Sequence, residues 1–209
     1  MITYNLHLQN GLNGLTAPSL YKNEPIVNRI KNGIIQFSFF LRPVQNVAPN
    51  RAIGVKEVYD LIASEKYATN TRVLRCLNSP EEARKYKARN FDYCCFSGVF
   101  SRRAESGLIQ HSGLLTIDFD HVKNLFLLKR KLINDCNFDT ILAFISPSGD
   151  GLKWIVKIDL LKNTHLEWFT AIQRYVRATY QLEIDKSGKD VSRCCFLPYD
   201  PEVYINPKY

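Results

Sequence analysis

The residues best placed to do chemistry lie in Ser112–Asp120, Ser-Gly-Leu-Leu-Thr-Ile-Asp-Phe-Asp, where an apolar run delivers two carboxylates two positions apart. Alternate side chains of an extended strand share a face, so Asp118 and Asp120 would point one way while Ile117 and Phe119 point the other. Paired acids repel each other, and a divalent cation between them removes that cost. A strand that merely ends in a polar turn would use the same residues. The pair therefore acquires meaning only from what accompanies it.

Two further stretches accompany it: Ser146-Pro-Ser-Gly-Asp-Gly-Leu-Lys153, and Asp185-Lys-Ser-Gly-Lys-Asp190 followed by Arg193. Together the three suit metal-dependent nucleotidyl transfer. Carboxylates from two strands can hold Mg²⁺ or Mn²⁺, which polarises an α-phosphate and lowers the pKa of an attacking hydroxyl. Ser146, Ser148, Gly149 and Gly151 can bring small side chains and backbone N–H groups up to phosphate oxygens, while Lys153 and Arg193 can neutralise a triphosphate. Each residue also has an ordinary use. Gly149 and Gly151 suit a hairpin turn, Lys153 a solvent-facing strand position, Asp185 and Asp190 a turn around Ser187-Gly188, and Arg193 a structural ion pair. His121 and His165 read as capping or surface residues, and His7 and His111 have no assigned chemistry.

The elements that must position these residues can be read from periodicity. Leu114 to Asp118, Thr140 to Ser146, Leu152 to Ile158 and Cys194 to Leu197 read as strands. Val122 to Asn134 carries Val122, Leu125, Leu128 and Leu132 on one helical face. A second helix, capped by Asn163 or Thr164, carries Leu166, Phe169, Ile172 and Val176. Strand, helix, strand, strand, helix, strand is the α+β, RRM-like or ferredoxin-like βαββαβ arrangement. Its expected spatial order is four, one, three, two, because each right-handed crossover skips a strand. That order brings the end of strand one, the turn between strands two and three and the start of strand four to one edge, where the unusual residues lie.

Residues 1–105 form an N-terminal α/β subdomain before this core at 106–209, with a boundary at the Glu105-Ser106-Gly107 turn. Ile2 to Leu8 and Ile34 to Phe40 read as strands and Val55 to Ile62 as an amphipathic helix. Phe91 to Phe100 reads as a strand breaking at Ser97-Gly98. A further helix begins at Ser79, with Pro80 in its first turn and Glu81 and Glu82 facing the positive end of the dipole. From Lys66 to Arg103 there are nine basic residues and three acids, with Tyr67 and Tyr86 among them. Arg84, Lys85, Lys87, Arg102 and Arg103 could track a nucleic-acid backbone while aromatics stack bases; a solvated helix face is the competing reading for Arg84, Lys85 and Lys87.

The net charge of +8 fits a polyanionic partner, and a 45% apolar content predicts a packed core. The six cysteines include the adjacent pairs Cys94-Cys95 and Cys194-Cys195, with no Cys-x-x-Cys and no zinc-finger spacing. They read as buried small residues of a reduced, cytoplasmic protein. No run is long enough to span a membrane, and the N-terminus lacks the pattern of a signal peptide.

The sequence resembles the archaeo-eukaryotic primase (primase-polymerase) superfamily, and within it the N-terminal domain of virulence-protein-E-type proteins of Bacteroidetes. The resemblance rests on Phe96-Ser-Gly-Val-Phe100, His111–His121, Ser146–Lys153 and Asp190-Val-Ser-Arg-Cys-Cys-Phe-Leu-Pro-Tyr-Asp-Pro201. It implies that Asp118 and Asp120 form the paired acid of a first motif, and that Asp185, with Asp190 as rival, is a third acid followed by Arg193. Lys153 stands where the second motif of that superfamily ends in a His. The expectation is a template-directed primase or polymerase acting on single-stranded DNA and nucleoside triphosphates. No Gly-x4-Gly-Lys-Ser/Thr loop is present, so a helicase would come from a partner or another segment. The rival expectations are a catalytically idle nucleic-acid-binding module that recruits a helicase or replication machinery, and an untemplated nucleotidyl enzyme such as a cyclase.

Overall fold

The computed structural model describes residues 35–209; the strand expected over Ile2 to Leu8, and His7 within it, lie outside the described residues. Among the described residues, ten short strands and five α-helices form antiparallel sheets with helices packed on them. The first sheet has the order β2(Arg51–Gly54), β1(Gln36–Phe40), β3(Tyr93–Cys95), β9(Cys195–Phe196). The second has the order β10(Tyr204–Ile205), β7(Thr140–Ile145), β8(Leu152–Lys157), β6(Leu114–Phe119), and β4(Gly98–Phe100) pairs with β5(Leu108–His111). The helices are α1(Val55–Ala63), α2(Ala68–Arg75), α3(Pro80–Asn90), α4(Leu125–Ile133) and α5(His165–Tyr180). None is long and apolar enough to cross a membrane among the described residues.

Alternation along the strands decides what each face packs against. Leu115, Ile117 and Phe119 of β6 and Leu152, Trp154 and Val156 of β8 meet Leu128 and Leu132 of α4 and Phe169, Ile172 and Val176 of α5. The opposite face carries Leu114, Phe144 and Ile155, which meet Phe37, Phe39, Cys94 and Cys195 of the first sheet and Val58 and Ile62 of α1. This inter-sheet core joins residues from both sides of position 105, as does the β3–β9 pairing. Full burial of such side chains contributes about 1.5–3 kcal/mol each, so the two layers cannot be separated cheaply.

The helix starts follow their capping signals. Ser79 accepts a hydrogen bond from the Glu82 N–H with Pro80 in the first turn. Thr164, rather than Asn163, caps α5 and completes a capping box with Glu167. Asn124 caps α4, so that helix begins at Leu125, three residues later than its apolar periodicity indicates.

Three of the four strands expected in the core lie in the anticipated order, with β8 between β6 and β7. The fourth does not. Cys195–Phe196 pairs with β3 in the first sheet instead of flanking β6. The chain does return along the free edge of β6, where the Asp185 N–H donates to the Asp118 carbonyl at 2.9 Å, but it then folds into a tight 3-10 turn over Lys186–Lys189. A turn cannot continue a ladder, and the Cys-Cys-Phe run, with Cys195 buried on the inter-sheet side and Cys194 facing away, crosses to the first sheet.

His165 is buried, contrary to its reading as a surface or capping residue. The Gly113 N–H donates to His111 Nδ1 (3.0 Å), His111 Nε2 faces His165 Nδ1 (3.1 Å), and His165 Nε2 faces the Gly188 carbonyl (3.1 Å). The chain is complete only with both rings neutral and protonated on Nε2. Burial, then the neighbouring ring, pushes His111 down to about 4, and burial lowers His165 as well. The unfolded chain therefore protonates His111 near pH 6.5, whereas the folded chain resists until about 4, so stability is lost as pH falls through that window, with His165 adding in the same direction. The urea midpoint should drop on acidification across it, and His111→Gln should flatten part of that drop. An identical pH profile in the variant would disprove the role of the pair.

Candidate functional site

Asp118 and Lys153 are cross-strand partners on β6 and β8, and both side chains face the inter-sheet layer. Lys153 Nζ is ion-paired with Asp118 Oδ2, and the two side chains are 13% and 8% exposed. Arg193 Nη2 lies 4.0 Å from the same oxygen and 2.9 Å from Asp185 Oδ2. Two acids and two bases thus form one compact, formally neutral group. Exposed pairs such as Lys85–Glu81 contribute about 0–1 kcal/mol; losing one member of a buried pair costs about 3–5 kcal/mol.

The charges are not equally satisfied. Asp185 Oδ1 accepts from the Ser187 N–H at 2.9 Å, and Oδ2 accepts from the Ser187 hydroxyl at 2.6 Å as well as from Arg193. Those bonds, with the Arg193 and Lys153 charges, outweigh desolvation and hold its carboxyl below the usual range. Asp118 Oδ1, by contrast, is buried with no hydrogen-bond partner. Burial pushes the Lys153 ammonium down to about 8; Arg193 and Lys87 act in the same direction, while Cys195 and Asp185 oppose it.

The Ser146–Gly151 turn closes the end of the cluster. Its N–H groups are largely committed internally: Ser146 N–H to the Gly151 carbonyl (2.8 Å), Gly149 N–H to the Ser146 carbonyl (3.0 Å), and Gly151 N–H to Ser146 Oγ (3.2 Å). Ser146 Oγ also lies 3.2 Å from Ser148 Oγ. Gly149 has a φ of +87°, which favours glycine, and a Cβ on Gly151 would stand 2.5 Å from the Phe119 carbonyl. His121 Nδ1 pairs with Asp150 at 2.6 Å and ties the turn to the chain beyond β6.

Sequence reasoning missed Arg75, on α2, which clamps this turn from the N-terminal segment. Its guanidinium donates to the Pro147 carbonyl (Nε, 3.2 Å) and the Ser146 carbonyl (Nη2, 3.3 Å), and burial lowers its pKa. No local pattern marks it, because its partners lie more than seventy positions away in the chain.

The remaining expected residues separate into different roles. Asp120 is exposed past the end of β6 and makes no hydrogen bond or ion pair with the described residues. Asp190 is also exposed, and its carboxylate accepts from the Ser192 N–H and hydroxyl at 2.8 and 2.9 Å as a turn former. Arg84 and Lys85 lie exposed on α3, whereas Lys87 lies over the Phe196 ring at 5.9 Å, beside the Lys153 cluster. Arg102 is exposed. Arg103 is not a free cation: it donates to the Val44 carbonyl at 2.8 Å and stacks over Tyr93 at 5.2 Å. Its flat guanidinium is used to cover an aromatic ring and satisfy a loop carbonyl. Among the described residues, no three His, Cys, Asp or Glu side chains stand together as a ready-made metal cage.

The fold and this site define a class: an α+β protein of packed antiparallel sheets with a buried carboxylate–cation cluster between them. Residues 85–205, more than half of the chain, match the family described as BT4734-like, N-terminal domain. The chain belongs to that family. No curated protein and no solved structure matches it.

Lys153→Met should cost about 3–5 kcal/mol, because it leaves the Asp118 carboxylate buried beside only the more distant Arg193. Asp118→Asn with Lys153→Met should recover most of that loss. Urea unfolding of the three proteins decides it: a single-variant loss under about 1 kcal/mol would show that the pair behaves as a surface one.

Proposed function

We propose that the protein is a primase-polymerase-type nucleotidyltransferase that joins nucleotides on a single-stranded DNA template in the replication of a mobile element or genome. The observation that carries this reading is the convergence of Asp118, Asp185, Lys153 and Arg193 from three stretches of chain, with Asp118 Oδ1 buried and unpartnered. A buried carboxylate oxygen without a donor is what a hard cation would satisfy. Asp118, Asp120 and Asp185 would hold Mg²⁺ or Mn²⁺, and the ion would polarise the α-phosphate and activate the 3′-hydroxyl.

The charge balance supports the reading. While Lys153 and Arg193 neutralise Asp118 and Asp185, neither base is fully available to a polyanion. Were Asp118 and Asp185 to hold a divalent ion, Lys153 and Arg193 would be free to bind triphosphate oxygens, so metal and nucleotide would assist each other's binding. Lys153 supplies a point charge and Arg193 a bidentate fork for phosphate oxygens. Ser148 is exposed at the tip of the turn with its hydroxyl 3.2 Å from Ser146 Oγ, and the committed N–H groups of Ser146, Gly149 and Gly151 give the turn a positioning role. Arg84, Lys85, Lys87 and Arg102 would carry the template backbone. A helicase would act as a partner.

A second reading is favoured by one observation: the Lys153 ammonium already neutralises Asp118. A lysine fixed there would make the protein a metal-independent nucleic-acid-binding module that recruits replication machinery.

Labelled-nucleotide incorporation on single-stranded DNA, with Mg²⁺ or Mn²⁺ and with or without primer, separates the two. Incorporation should be present and should be lost in Asp118→Asn with the circular dichroism spectrum unchanged. Synthesis undiminished in that variant would refute the metal role. DNA binding without synthesis or metal dependence would establish the binding module.

A further inference from the structure

The two adjacent cysteine pairs form a block across β3 and β9. The register sets Tyr93 opposite Phe196 and Cys94 opposite Cys195, where β9 ends; carried one position further, the same register sets Cys95 against Cys194. The Leu197 N–H donates to the Asp92 carbonyl at 3.0 Å, which makes Asp92–Leu197 a hydrogen-bonded pair. Antiparallel rungs alternate between the two types. Tyr93–Phe196 is therefore a non-hydrogen-bonded rung, Cys94–Cys195 a hydrogen-bonded one, and Cys95–Cys194 again non-hydrogen-bonded. Directly opposed side chains come closest on non-hydrogen-bonded rungs, with Cα atoms about 4.5 Å apart, inside the span a disulfide bridges.

The faces of the sheet separate the pairs further. Cys94 and Cys195 are sealed in the inter-sheet core, whereas Cys95 and Cys194 share the opposite face with Phe40, Tyr93 and Phe196. Cys194 is partly exposed; Cys95 is buried, with its Sγ 3.4 Å from the Ser192 carbonyl, so its thiol is directed at the Cys194 segment. All six cysteines are free.

We propose that Cys95 and Cys194 form a redox-sensitive cross-strand dithiol that closes to a disulfide under oxidising conditions, beside Arg193. With a small disulfide such as oxidised glutathione, the Cys194 thiolate attacks one sulfur and expels a thiolate that takes a proton. Cys95, whose thiol burial pushes up, passes its proton to the departing thiolate as it attacks Cys194 Sγ of the mixed disulfide and expels the second thiol. The two protein thiols lose two electrons and two protons, and the small disulfide is reduced to two thiols. The bond clamps the Arg193 segment to β3. That it alters triphosphate binding rests on the function proposed above, whereas formation of the bond does not.

The experiment uses the full chain with Cys76→Ser and Cys136→Ser, which removes the two exposed thiols, titrated with oxidised glutathione under native conditions. Intact mass should fall by about 2 Da as two hydrogens leave. That loss should vanish in Cys194→Ser and in Cys95→Ser and persist in Cys94→Ser and in Cys195→Ser. No mass loss, a loss that survives Cys194→Ser, or one that requires Cys94 or Cys195 would overturn the proposal. Triphosphate affinity of the oxidised and reduced forms is measured separately: unchanged affinity refutes the effect on the site and leaves the dithiol standing.

Discussion

The structure around the candidate site depends on one constraint: a carboxylate and an ammonium placed opposite each other on neighbouring strands, on the face that a second sheet covers. Burying two charges is unfavourable unless they meet at short range and their remaining valences are satisfied. Asp118 and Lys153 meet because the β6–β8 register makes them partners. Everything nearby follows from sealing that pair. Arg193 supplies a second cation, and Asp185, capping the turn over Lys186–Lys189, supplies the acid that holds Arg193 in place.

The same constraint explains why distant segments converge. The return past α5 donates a backbone bond to Asp118 of β6, packs Gly188 close to the Thr116 carbonyl and then leaves for the first sheet, so Arg193 approaches from outside the β6–β8–β7 array. Arg75 reaches in from the opposite segment to hold the carbonyls of the Ser146–Gly151 turn. Residues before and after position 105 therefore build one site. The cluster is formally neutral and keeps one carboxylate oxygen, Asp118 Oδ1, unpartnered.

The BT4734-like family match runs from within α3 to β10, a span that includes all four residues of the cluster. Arg75 lies outside that span. The polymerase reading and the binding-module reading differ over one atom's partner. In the first, Lys153 yields Asp118 to a metal; in the second it keeps it.

The sequence by itself determined the elements whose signal is local. Apolar runs set β6, β7 and β8, Ser79-Pro80 set one helix start and Asn163 or Thr164 offered another, and Gly149 with Gly151 set a turn; each depends on neighbours a few positions away. It also marked Asp118, Asp120, Lys153, Asp185, Asp190 and Arg193 as a set, of which Asp120 and Asp190 stay exposed. Only the tertiary structure decided the destination of Cys195–Phe196, the burial of His165 against His111, the capture of Arg103 by Tyr93 and the clamp by Arg75. Each of these is a contact between residues far apart in the chain. Strand pairing partners and side-chain burial are settled by which apolar faces the whole fold must cover, and no local pattern encodes that choice.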